Sequence, residues 1–214
     1  KRVQAGNFGA CLMADPKLVA ECVERIKEKV SIPVTIECRI GIDDYNPDEM
    51  LPEFVETLIK SGVSTFIIHA RKAMLDGLDP KQNREIPPLD YDMVRMIKRK
   101  WPELNIVLNG GLLTPYSAKT EISASKGVAL DGAMIGRAVL ENPYSIIDVD
   151  SLFYDDKTPS PSRFKIAEEM IYYLEDCKQK GIPINIITQN MLGLFHGCRG
   201  AKIRRSYLSH QAPR

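Results

Sequence analysis

The chain has 214 residues, of which 44% are hydrophobic and 27% charged, a balance that predicts a folded protein with one large domain and a small appendix. Its formal net charge is +1, and no run of about 18 apolar residues occurs, which excludes a membrane-spanning helix. The cysteines are odd in number and lack the CxxC spacing of metal sites: Cys11, Cys22, Cys38, Cys177 and Cys198. They favour a reducing compartment over a disulfide framework. We therefore expect a cytoplasmic protein that binds no metal.

A helix is predicted at 16–30, because Asp15 and Pro16 supply an N-cap and a first-turn proline before apolar residues at helical spacing. From there, short apolar runs alternate with amphipathic segments. The predicted strands are 32–40, 64–70, 104–108 and 129–135. The helices predicted to follow them are 48–61, 91–100, 115–125 and 138–147.

This alternation predicts an α/β fold with parallel strands and right-handed crossovers. A (β/α)8 TIM barrel and a doubly wound open sheet both fit it. Polar or glycine-rich residues end successive strands, at Arg39 and at 69–71, 109–111 and 136–137. Because strand ends of this kind converge on one site in a barrel, we expect residues 1–150 to form the C-terminal half of a TIM barrel, with about four β/α units.

A long loop occupies most of the segment 66–91, between the second predicted strand and the next helix. It carries Lys81, Asn83, Arg84 and Glu85 before two consecutive prolines close it. Loops of this length in compact domains are usually functional or disordered, and the regular elements on both sides favour a functional loop. Lys81 and Arg84 are either ligand contacts or ordinary solvent-facing charges.

The pattern changes after a Pro/Ser-rich linker at 155–162, and we predict a small all-helical domain at 159–214. From position 182 to 214 there is no Asp or Glu, whereas several basic residues occur: Arg199, Lys202, Arg204, Arg205 and Arg214. Lys202 and Arg205 are three residues apart and share a helix face. A basic stretch without acids favours a phosphate-bearing partner over a merely solvated helix face.

Asn109, Gly110 and Gly111 follow one predicted strand, and Gly136 and Arg137 follow the next. The loops after the last strands of TIM barrels commonly bind phosphate through glycine amides and a helix N-terminus. An arginine can add two parallel hydrogen bonds. The pattern predicts a phosphate site for a phosphorylated substrate or flavin mononucleotide (FMN).

Two other side chains are candidates for chemistry. His69 ends a buried strand, where it either serves the structure or faces a cofactor ring or a substrate carbonyl. Cys11 is either a nucleophile or, as free cysteines usually are, a small hydrophobic side chain.

Six segments spread over nearly the whole chain carry a resemblance: RVQAGNFGACLM, IPVTIECRIGIDD, FIIHARKAMLDGLDPKQNREIPPLDY, NGG, DGAMIGRAVLENP and ITQNMLGLFHGCRGAKIRRSYLS. Together they resemble tRNA-dihydrouridine synthases of the A subfamily, and HARKA with NREIPPLDY is the most specific part. The resemblance implies an FMN-binding TIM barrel joined to a helical tRNA-binding domain. It also implies NADPH-dependent reduction of the C5–C6 bond of a D-loop uridine, at position 20/20a.

The resemblance assigns roles by position. His69 would contact the flavin. The residues that would hold its phosphate are Asn109, Gly110, Gly111, Gly136 and Arg137. The residues that would contact tRNA are Lys81, Arg84, Lys202 and Arg205. Hydride would pass from the flavin to uridine C6 while an acid protonates C5.

The chain departs from the family pattern in two respects. The family's proton donor is a cysteine in a GCPS motif that would lie just before Lys1, and the first four strands would precede it. We therefore expect a C-terminal portion, with an incomplete helical domain, that is inactive by itself. Glu37 stands where the family has a lysine beside the flavin, and its carboxylate would repel the anionic reduced ring.

The sequence leaves two alternative functions open. One is a non-catalytic tRNA-binding protein in which the barrel half is a scaffold. The other is a phosphate-binding barrel enzyme that acts on a small metabolite, although the acid-free C-terminal helices favour an RNA partner. The sequence leaves the oligomeric state open.

Overall fold

The computed structural model describes residues 8–210. Its sheet has four strands: β1 Ile36–Arg39, β2 Thr65–His69, β3 Asn105–Asn109 and β4 Gly132–Met134. The helices are α1 Pro16–Lys27, α2 Pro47–Lys60, α3 Tyr91–Lys100, α4 Pro115–Ile122, α5 Arg137–Glu141, α6 Val149–Phe153, α7 Arg163–Gln179, α8 Ile184–Met191 and α9 Ala201–His210. Short 3-10 turns add Gly9–Ala14, Gln82–Arg84, Ala124–Lys126 and Pro143–Ile146.

The four strands are all parallel and lie in chain order, β1-β2-β3-β4. Their side chains alternate between two faces. One face is buried under the helices and includes Cys38, Phe66, Ile68, Ile106 and Leu108. The predicted α/β fold with parallel strands is therefore confirmed, and four such strands are consistent with part of a TIM barrel.

The first helix begins at the residue that the sequence predicts, and α2 begins at Pro47, one residue before its predicted start. The Asp15 carboxylate accepts a hydrogen bond from the Leu18 amide at 3.1 Å, with Pro16 in the first turn of α1. Asn46 caps α2 in the same way, and its side chain accepts from the Asp48 amide. One face of α2 is then fully buried through Leu51, Val55 and Leu58. These caps and apolar stripes fix the helices that cover the buried sheet face.

One predicted helix is interrupted in the structure, so its prediction as a single helix is wrong. The segment 138–147 was expected to be a single helix, but α5 ends at Glu141 and a 3-10 turn, Pro143–Ile146, follows. Proline disfavours helical geometry in the residue before it and lacks the amide that would continue the helix. Asn142 accordingly has φ −141° and ψ 82°. The predicted helix at 115–125 similarly ends at Ile122.

The chain forms two compact units. The first contains the described part of Lys1–Gly111 together with Thr120–Met134, and hence the whole sheet. The second contains Leu112–Lys119 and the described part of Ile135–Arg214. The predicted domains at 1–150 and 159–214, including the separate helical domain, stay predictions.

The second unit is held partly by arginine side chains that lie over aromatic rings. The Arg163 guanidinium lies 4.0 Å from the centre of the Tyr144 ring and donates to the Leu194 carbonyl at 2.9 Å. Arg204 lies 4.1 Å from the centre of the Phe195 ring. Through Arg204, part of the basic C-terminal stretch therefore packs within this unit and helps to stabilise it.

Over residues 8–210, the helices are all too short or too polar to cross a lipid bilayer. In the same range, we find no cluster of three or more His, Cys, Asp or Glu side chains placed to hold a metal ion.

Candidate functional site

Polar side chains at the C-terminal ends of three strands lie side by side. Arg39 pairs in register with His69, His69 with Asn109, and Asn109 with Met134. We call these four positions the strand-end row. Because the strands are parallel and in register, the row places a guanidinium, an imidazole and an amide at one edge of the sheet. Three of the four predicted strand ends, at Arg39, His69 and Asn109, thus lie side by side in the first unit. The fourth, at 136–137, belongs to the second unit, and its place in the site stays a prediction.

A cavity of about 370 Å³ opens beside this edge of the sheet. Its lining includes Glu37, Arg39 and His69 together with apolar side chains such as Val19 and Phe54. Ligand pockets in proteins commonly have volumes of about 300–1,000 Å³ and combine an apolar lining with a few polar groups. The cavity has the size and chemistry of a pocket for part of a cofactor or a substrate.

Glu37 is joined to Asn109 although one strand separates them. Glu37 lies on β1 two residues before Arg39, and therefore on the same sheet face. The Asn109 Nδ2 donates a hydrogen bond to Glu37 Oε1 at 2.9 Å. Three residues that the sequence singled out, Glu37, His69 and Asn109, are thus brought together, and the Asn109 amide is engaged by a carboxylate.

The backbone angles and the neighbouring side chains of the two glycines after β3 leave no room for a larger residue. Gly110 has φ +104°, and a Cβ atom there would lie 3.0 Å from His69 Cε1. Gly111 has φ +72°, and a Cβ atom there would lie 3.0 Å from the Tyr91 hydroxyl. Any other residue would be strained and would crowd these side chains. The backbone of the turn therefore lies directly over the His69 ring.

Tyr91 holds this turn in place. Its hydroxyl donates a hydrogen bond to the Gly110 carbonyl at 2.7 Å. Burial raises the pKa of the Tyr91 phenol, and the nearby Glu121 carboxylate raises it further, so the donor stays protonated. Sequence reasoning did not assign Tyr91 to the site, because the first residue of a helix carries no signal of a contact with a turn 19 positions away.

Arg39 connects the edge of the sheet to the long loop. Its Nη1 donates to the Asn83 carbonyl at 3.0 Å and to the Lys72 carbonyl at 3.4 Å. Burial lowers the pKa of the Arg39 guanidinium, and the positive charge of Arg84 lowers it further. The sequence placed Arg39 at a strand end but gave it no role in the loop.

The β2–α3 loop, residues 70–90, holds its two predicted tRNA contacts at the surface. Lys81 and Arg84 are both exposed, at the start and end of the turn around Gln82–Arg84. The Asp79 carboxylate accepts hydrogen bonds from the Lys81 amide at 2.7 Å and the Gln82 amide at 2.9 Å. At the end of the loop, the Asp90 amide donates to the Ala70 carbonyl at 2.8 Å.

The remaining predicted site residues belong to the second unit. Gly136 caps α5 and Arg137 begins it, but a Cβ atom at Gly136 would meet nothing within 4 Å. Lys202 and Arg205 are exposed on α9. Their predicted roles in binding phosphate and tRNA stay predictions.

The two cysteines nearest the site are part of the local structure, one hydrogen-bonded in a turn and one buried. The Cys11 thiol donates to the Phe8 carbonyl at 3.2 Å within the 3-10 turn Gly9–Ala14. Cys38 lies on the helix-covered face of β1, where burial raises its thiol pKa to about 12. Cys38 is therefore a poor nucleophile and a poor acid at neutral pH.

Comparison with known proteins gives the family. The family described as Dihydrouridine synthase (Dus) matches residues 1–213. The chain is 49% identical over 211 residues to a tRNA-dihydrouridine(20/20a) synthase of Shewanella oneidensis, covering 99% of this chain and 62% of that protein. It is 46% identical to the protein of the same name from Vibrio cholerae, with 99% and 63% covered. For the one from Synechocystis the identity is 45%, with 97% and 61% covered.

The chain thus spans about three fifths of the length of these curated relatives. The family match covers residues 1–213 and thus extends over both compact units. The chain belongs to the dihydrouridine synthase family.

Proposed function

We propose that the protein takes part in the reduction of a D-loop uridine of tRNA to dihydrouridine, with FMN as bound cofactor and NADPH as reductant. The observation that carries the proposal is the strand-end row beside a 370 Å³ cavity, with a glycine turn over His69. The relatives named above are synthases for positions 20/20a, which supports the same position here.

The residues of the first unit fit a flavin in most respects. His69 lines the cavity and can contact a ring system, and the family resemblance places Gly110 and Gly111, in the turn beside His69, at the flavin phosphate. We propose that these three residues, with Asn109, hold FMN. When bound, the flavin would supply the hydride that uridine C6 accepts.

Glu37 is the residue that fits least. Its carboxylate lines the same cavity and occupies the Asn109 amide. A negative charge there disfavours an anionic reduced flavin, and an engaged amide is less available to a cofactor. We therefore propose that Glu37 weakens flavin binding in this protein.

The proposal assigns no proton donor among residues 8–210. Cys38 lies on the opposite sheet face from His69 and holds its proton too tightly, and Cys11 is part of a 3-10 turn. The acid that protonates uridine C5 is proposed to be supplied by another residue, as the family resemblance implies.

Binding of tRNA is proposed to use exposed cations. Lys81 and Arg84 project from an ordered loop of the first unit, and Lys202 and Arg205 share a face of α9 in the second. Lysine and arginine bind nucleic-acid phosphates and release counterions, so binding would weaken steeply with salt.

Purified full chain would be titrated with FMN, followed by visible absorbance, and with unmodified tRNA over a salt series, followed by filter binding. Uptake of FMN, its reduction by NADPH and salt-sensitive tRNA binding together support the proposal. Flavin binding without tRNA binding, or turnover of a small phosphorylated metabolite, would contradict it.

The Glu37–Asn109 contact favours a second candidate function, a tRNA-binding protein without catalysis. That candidate predicts a colourless protein that binds tRNA and takes up no FMN. Visible flavin absorbance after reconstitution distinguishes the two functions.

A further inference from the structure

Asn83 joins two limbs of the β2–α3 loop through its side chain. Asn83 Oδ1 accepts a hydrogen bond from the Met74 amide at 2.7 Å, and Asn83 Nδ2 donates to the Met74 carbonyl at 2.8 Å. The same Nδ2 lies 3.3 Å from the Leu78 carbonyl. The Asn83 amide therefore pairs with Met74 as a neighbouring strand would, and joins the outgoing and returning limbs of the loop.

The backbone of Asn83 is fixed as well. Its amide donates to the Asp79 carbonyl at 2.9 Å, and its carbonyl accepts from Arg39 Nη1 at 3.0 Å. Asn83 is half-buried, whereas its neighbours Lys81 and Arg84 are exposed. One residue thus ties the segment that carries both cations to the loop base and to a strand end that lines the cavity.

We propose that Asn83 is a positioning residue for nucleic-acid binding, which presents Lys81 and Arg84 in a preformed arrangement to a polyanionic backbone. The inference rests on the proposed function, since it takes those cations as RNA contacts. A preformed loop avoids the entropy cost of ordering it when the partner binds. Asn83 itself faces the loop interior and acts through its neighbours.

The hydrogen-bond pattern explains why an asparagine is needed. Its amide offers one acceptor and two donors to the Met74 backbone and the Leu78 carbonyl. Alanine removes all of these bonds. Glutamine retains the amide but moves it outward by one methylene, so that the paired geometry with Met74 is lost.

The test compares tRNA affinity in the full chain for wild type, Asn83→Ala, Lys81→Ala/Arg84→Ala and the triple variant. We expect Asn83→Ala to weaken binding about tenfold, the effect of one to two lost hydrogen bonds. In the variant that lacks both cations, adding Asn83→Ala should change affinity less than twofold, because a positioning residue has nothing left to position.

A second readout is independent of RNA. Trypsin cleaves after Lys81 and Arg84, and a loosened loop should be cut about tenfold faster in Asn83→Ala and Asn83→Gln than in wild type. Asn105→Ala is the matched control, because that asparagine donates to the Thr65 hydroxyl at the opposite end of β3. It should alter neither loop cleavage nor tRNA affinity. If Asn83→Ala unfolds the protein, Asn83→Gln carries the comparison.

The outcomes separate the two proposals. Unchanged affinity in Asn83→Ala, with a clear loss in Lys81→Ala/Arg84→Ala, overturns the positioning role alone. An equal loss from Asn83→Ala with and without the two cations also overturns it. Non-additive losses in a protein that takes up no FMN would support the positioning role and contradict the flavin-dependent function.

Discussion

The Asn109 side-chain amide donates to the Glu37 carboxylate at 2.9 Å, across the strand that carries His69. The Glu37 carboxylate puts a negative charge on the wall of the cavity that we assign to the flavin. It also occupies one of the polar groups proposed to hold that cofactor. The local chemistry of Glu37 is therefore the first feature to test.

Glu37→Lys is expected to raise FMN affinity about tenfold, because it replaces a negative charge with a positive one facing the anionic cofactor and releases the Asn109 amide. Flavin fluorescence during titration measures the dissociation constant. Glu37→Gln removes the charge and retains an acceptor for Asn109, so its affinity should lie between the other two. Equal affinity in all three proteins would show that Glu37 does not face the flavin.

Gly110→Ala should reduce FMN affinity about tenfold and lower the free energy of unfolding by about 1 kcal/mol or more. The added Cβ would lie 3.0 Å from His69 Cε1 and displace either the turn or the ring. Gly127→Ala is the matched control, because Gly127 has φ +111° but only Arg99 nearby, at 3.7 Å. It should cost similar stability and leave FMN binding unchanged, as urea unfolding and FMN titration would measure. A similar loss of FMN affinity in both variants would argue against a cofactor turn.

Lys202→Ala/Arg205→Ala should weaken tRNA binding and reduce the slope of log affinity against log salt by about 2, one for each phosphate contact. Filter binding over a salt series measures the slope. The control is Lys180→Ala, because Lys180 in the same unit is paired with Asp176 at 2.7 Å. That variant should keep the wild-type slope. An unchanged slope in the double variant would remove α9 from the proposed RNA contacts.

Cys38 predicts a specific loss of stability at high pH. Burial raises its folded-state pKa to about 12, above the ordinary thiol pKa of 9.0, so the unfolded chain releases this proton first. The stability present below pH 9.0 is therefore lost as pH rises towards 12, by about 1.4 kcal/mol per pH unit from this group. Urea unfolding at several alkaline pH values should show a shallower decline in Cys38→Ala.

The control for that measurement is Cys22→Ala, because Cys22 is exposed on α1 and its removal should leave the decline as in wild type. A wild-type decline in Cys38→Ala would mean that the Cys38 thiol ionises as easily in the folded protein as in the unfolded chain.

The sequence predicted the features that depend on local pattern. Asp15 marks the predicted start of α1 and acts as its cap in the structure. Apolar runs predicted the four strands. The polar residues at their ends predicted three positions of the strand-end row, Arg39, His69 and Asn109. Strand bounds were less accurate: 32–40 was predicted, but β1 is Ile36–Arg39. Residues 32–34 are apolar but do not pair in the sheet, which composition cannot reveal.

Contacts that depend on how strands and helices are aligned in the fold could not be predicted from the sequence. The Glu37–Asn109 bond needs two strand pairings to be aligned, and the Tyr91–Gly110 bond needs a helix start to lie against a turn. Neither pairing is encoded in the spacing of the residues concerned. The break after α5 was within reach, because Pro143 stands inside the predicted helix.

The pairing of Asn83 with Met74 closes the tip of the loop into a ring whose two ends meet at one point. The Leu75 amide donates to Asp43 outside this ring, so we expect residues 76–82 to be exchangeable as a cassette while the strand and the helix on either side remain unaltered. Exchange of this cassette between family members would transfer the arrangement of surface charge around Lys81 without rebuilding the sheet.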